Sequence, residues 1–173
     1  MGFACGKFLM SAVAALALSA CASGFEPSPA QEPLAREMLK RFPQVEPAQF
    51  MRDFNTICID NTRSALHVNR ALKQEGYFLV HSSRGVALFG IAKDRAVIKS
   101  RQIHNGRSGQ RCEVMAQETP ELRAFVAKSL KSDPRYVQTD GSWFATDTAA
   151  VTTLHSPVPS GGRVFSLMAV RKP

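Results

Sequence analysis

The hydrophobic pattern changes character along the chain. Phe8–Leu18 is an apolar run broken only by Ser11. From Pro33, the residues Leu34, Met38, Leu39 and Phe42 recur at helical spacing until Pro43 ends the segment. A second helix is predicted from Pro47, with Phe50, Phe54, Ile57 and Cys58 on one face. "DNT" at 60–62 reads as a break and a cap. A third helix then runs from about Arg63 to Glu75, burying Ala65, Val68 and Leu72, with Gly76 as its left-handed cap. After Gly76 the period shortens to that of strands, at 77–80, 86–92, 96–103 and 111–116, with a hairpin at Lys93-Asp94-Arg95. Thr119-Pro120-Glu121 opens a fourth helix with Leu122, Phe125, Val126 and Leu130 as its buried stripe, and Ser132-Asp133-Pro134 stops it. Strands follow in "SWFAT", "AVTTLHS" and "RVFSLMAV". The order helices, strands, helix, strands predicts a single α+β domain over 33–173: an antiparallel sheet of short strands covered on one face by three to four helices. The two halves are loosely alike in element order, without a sequence repeat.

The N-terminal run is too short for a spanning helix, which needs about 20 apolar residues. Lys7 precedes it and small residues follow it, which is the grammar of a signal peptide over 1–20. Leu18-Ser19-Ala20-Cys21 resembles the lipobox of bacterial prolipoproteins. That resemblance covers residues 1–21 only. It implies that Cys21 is alkylated with diacylglycerol and acylated after cleavage. The two prolines and small residues that follow read as a flexible tether, so that 21–32 comprise the lipidated cysteine and its tether. The resemblance also implies an outer-membrane lipoprotein facing the periplasm, since Ala22 rather than Asp follows the cysteine. The competing reading is an ordinary secretory signal cut near Cys21, releasing a soluble periplasmic or secreted protein. Beyond Cys21, no motif assigns the chain to a characterised family.

Composition adds a compartment and a charge. Cys5 falls within the signal, which leaves Cys58 and Cys112 as an even pair in an exported chain, and hence as a predicted disulfide pinning helix to sheet. The net charge is +8 over 173 residues. Between Arg84 and Arg111 stand Arg84, Lys93, Arg95, Lys99, Arg101, Arg107 and Arg111 against the single acid Asp94. Lys99 and Arg101 alternate along one strand and share a face. These seven are candidate anion-binding residues, for lipid headgroups, other anionic envelope components or an acidic envelope protein. The simpler explanation is a solvated sheet face kept soluble by its charges. Nucleic acid is excluded as a partner by export.

Catalytic signals are sparse. The four histidines have no metal-binding spacing, and the two cysteines are explained better by a disulfide than by zinc, so neither metal nor cofactor is expected. No nucleophile elbow or phosphate loop is present. The sequence therefore predicts an envelope protein with a non-catalytic binding or scaffolding role. The alternative is a small periplasmic hydrolase pairing His81 or His155 with Asp140 or Asp147.

Overall fold

A computed structural model describes residues 32–81, 87–104, 108–145, 149–157 and 162–171. The predicted signal, Cys21, most of the predicted tether, Arg84, Arg107 and Asp147 lie outside the described residues. The described chain forms helices α1 (Glu32–Lys40), α2 (Pro47–Asp53), α3 (Ala65–Gln74) and α4 (Pro120–Ser132), with a π-helix (Phe54–Ile59) continuing α2. The strands are β1 (Phe78–His81), β2 (Leu88–Ile91), β3 (Val97–His104), β4 (Ser108–Gln117), β5 (Tyr136–Thr139), β6 (Ser142–Ala145), β7 (Ala149–Pro157) and β8 (Arg163–Arg171). All eight join one antiparallel sheet in the order β1-β2-β3-β4-β8-β7-β6-β5. Two meanders, each preceded by helix, thus meet along their last strands, and the mixed α+β class holds.

The larger core lies between the sheet and α2, the π-helix, α3 and α4. Phe50, Phe54, Ile57, Val68, Leu72, Ile98, Val114 and Leu167 are buried there. Burial of each such side chain contributes about 1.5–3 kcal/mol. Gly90 allows α3 to approach closely, because a Cβ at that position would sit 2.6 Å from Leu72 Cδ2. Cys58 on the π-helix and Cys112 on β4 form the predicted disulfide, with a Cα–Cα separation of 5.3 Å. The bridge fastens helix to sheet, and both cysteines are fully buried.

Several local expectations are corrected. The second helix does not stay α-helical. After Asp53 it widens into the π-helix, which turns Phe54, Ile57, Cys58 and Ile59 all into the core. The cap of α3 is Ser64, whose hydroxyl accepts from the His67 amide. Asn61 and Thr62 instead donate to the Thr56 and Ile59 carbonyls, closing the preceding helix. Ala71 takes the buried place expected of Ala65, and Phe125 on α4 is exposed at 37%. β5 was not expected. It is short and buries only Tyr136.

Cover on one face only is also overturned. A smaller cluster sits on the opposite face, where Met38 of α1 packs with Ile91, Val97, Met115 and Val164, flanked by Phe42, Phe78 and Phe89. The carbonyl of Pro43, just past α1, accepts from the Gln117 amide and holds the chain at the end of β4. α1 covers only part of this back face.

Candidate functional site

The basic residues that are adjacent in sequence separate in space. Lys93 is exposed in the β2–β3 turn. Arg95 turns to the helical side, where it pairs with Asp53 and with Glu75 at 3.3 Å, and covers the Tyr77 ring at 4.6 Å. Asp53 is 1% exposed and also accepts from Tyr77 Oη at 2.8 Å and Gln49 Nε2 at 2.8 Å. Burial of Tyr77, with the carboxylate of Asp53 beside it, pushes its phenol far above its ordinary range. Burial works against the charge on Arg95, but its hydrogen bond to Asp53, the charges of Tyr77 and Asp53 and its hydrogen bond to Glu75 together more than restore it. The network ties α2 to the start of β1 and to the β2–β3 hairpin. All its charges have partners, so Arg95 is structural and not free to take up a ligand.

Lys99, Arg101 and Arg111 do converge. Cross-strand pairing sets Lys99 opposite Glu113 and Arg101 opposite Arg111, all on the back face. Glu113 is buried, and Arg111 donates to it at 3.3 Å. Lys99 Nζ lies 5.7 Å from the Phe89 ring. Three of the seven expected cations therefore form one patch.

A second constellation was not foreseen. Glu118, between β4 and α4, is only 8% exposed at its side chain. Its carboxylate lies 3.4 Å from Arg123 Nε, 3.2 Å from Arg163 Nε and 3.2 Å from His155 Nδ1. Three elements supply these groups: α4, β8 and β7. The Thr119 hydroxyl, accepting from the Leu122 amide, fixes the start of α4 so that Arg123 faces Glu118. His155 also meets the edge of Phe165, with ring centroids 5.3 Å apart. Beside the cluster is a depression of about 180 Å³ lined by Glu118, Thr119, Pro120, Arg123 and Arg163. The arrangement can orient a His155 imidazole through Nδ1 and leave Nε2 as a base. The expected partners differ: Asp140 sits in the β5–β6 turn with φ 49°, and the carboxylate His155 meets is Glu118. The four residues span 118–163, with no local motif to reveal them.

Among the described residues, no group of three or more His, Cys, Asp or Glu could hold a metal ion. No described helix is long and apolar enough to cross a membrane. No family model, curated protein or solved structure matches the chain.

Proposed function

We propose that this chain is an exported envelope protein, lipid-anchored through Cys21, whose α+β domain binds an anionic envelope component without catalysis. The observation that carries this reading is the buried Cys58–Cys112 bridge, a linkage characteristic of oxidising compartments and consistent with the N-terminal signal. The Lys99–Arg101–Arg111 patch supports the binding role. Intact mass spectrometry of the mature protein from its native membrane tests the reading. Diacylglycerol and an acyl chain on Cys21, with two hydrogens missing for the 58–112 pair, are the expected masses. An unmodified chain beginning after Cys21 would overturn the anchor.

A second reading, favoured by the Glu118–His155 contact, is a small hydrolase with His155 as base. A panel of ester, amide and phosphodiester substrates tests it. Turnover lost in both His155→Ala and Glu118→Gln supports this reading over binding alone, and no turnover on any of them rejects it.

A further inference from the structure

We propose that the part of the back face left open by α1 is a docking surface for the anionic phospholipid headgroups of the bilayer. Where it acts rests on the anchored reading above, but the surface can be tested without the anchor.

The strand register orders this face into rows. The row under α1 holds Phe78, Ile91, Val97 and Met115. One step away the row reads Val80, Phe89, Lys99, Glu113, Met168 and Thr152. The next runs unbroken across six strands as Arg101, Arg111, Val170, Ala150, Phe144 and Val137. Its cationic end is two arginines directly opposed, an arrangement that costs stability in an isolated sheet. Glu113, one row in, meets Arg111, while Arg101 meets no acid among the described residues. An anion shared by the two guanidinia would relieve that repulsion. The other end of the row is apolar and open: Phe144 is 38% exposed and Val137 52%. Cations beside exposed aromatic and aliphatic groups suit a bilayer interface, where the cations meet headgroups and the apolar groups enter the acyl boundary.

Chain length points the same way. α1 begins at Glu32 and packs on this face, and Cys21 is only eleven residues earlier. Eleven residues span at most about 40 Å. A lipid on Cys21 would hold this side of the sheet near the membrane. A second copy is a poorer occupant, since it would bring the same strongly cationic chain against the same arginines.

The test is co-sedimentation of the mature chain from residue 21, carrying Cys21→Ser, with vesicles of mixed phosphatidylglycerol and phosphatidylcholine or of phosphatidylcholine alone. Binding to the anionic vesicles is expected, falling steeply with salt and by about tenfold or more in Arg101→Glu/Arg111→Glu. Phe144→Ser/Val137→Thr should also weaken it by several-fold, with melting curves confirming that both variants fold. A folded chain that ignores anionic vesicles overturns the proposal, as does binding indifferent to charge reversal. A concentration-dependent dimer broken by the same substitutions would overturn it in favour of self-association. The anchor is judged separately: acyl mass on Cys21 without vesicle binding removes this surface alone, and vesicle binding without acyl mass removes the anchor alone.

Discussion

Asp53 and Glu113 are both buried carboxylates near an arginine, one on the helical side of the sheet and one on its back. Asp53 has Arg95, Tyr77 and Gln49 around it, drawn from α2, the segment before β1 and the β2–β3 turn. Glu113 has Arg111 at 3.3 Å from its own strand and Lys99 across the ladder, with Arg101 beyond. On the helical side a charge removed from water must be matched within the protein, because an unmatched one costs several kcal/mol. On the back face water matches the surplus, so cations can accumulate there without partners inside the protein. Surplus charge stands where solvent reaches, and the helical side, which solvent does not reach, pairs its charges internally.

The comparison breaks if the two sides respond alike to substitution. Asp53→Ala strands Arg95 and the Tyr77 hydroxyl and should cost about 3–5 kcal/mol in urea denaturation. Replacing both cysteines, Cys58→Ala/Cys112→Ala, should cost roughly 4 kcal/mol, because the bridge spans 54 residues and restricts the unfolded chain. Gly90→Ala pushes a methyl into Leu72 and should cost about 1–3 kcal/mol, less if Leu72 finds another rotamer.

Alkaline pH sharpens the contrast. Burial raises the pKa values of Tyr77 and Tyr136 above the ordinary 10.0. The unfolded state therefore releases these protons first, and the fold holds more protons above pH 10. Stability should be level below pH 10 and fall above it, by up to about 1.4 kcal/mol per pH unit for each tyrosine. Urea midpoints from pH 8 to 11 read this directly, and a flat profile would contradict the burial of both rings. The smallest effects belong to the back face: Arg101→Glu and Phe144→Ser should each stay within about 0.5 kcal/mol of the parent. A larger loss would mean that this face carries structure.

Much of the fold was legible. Periodicity located the helices and seven of the eight strands, the Thr119-Pro120 pair marked the start of α4, and the cysteine count anticipated the bridge. β5 carries a local signal at its end: Asp140 and Gly141 both have positive φ, the two-residue hairpin turn that Asp-Gly favours. The π-helix had none, since α and π spacing differ by too little over six residues to read from side chains. Of the candidate site, the alternation of Lys99 and Arg101 was visible, but Arg111 joined them only through cross-strand pairing.

By itself the sequence determined the properties that depend on neighbours along the chain: the Thr119-Pro120 helix start, turns, strand period and the charge surplus. Only the tertiary structure decided which charges are consumed and which remain open. Arg95 and Arg101 stand six residues apart with the same side chain, yet one is bound to Asp53 and the other faces outward beside Arg111. The same holds for Glu118, His155, Arg123 and Arg163, which meet because β4, β7, β8 and α4 end together. Electrostatic partnership depends on separation in space, and the register of distant strands sets that separation.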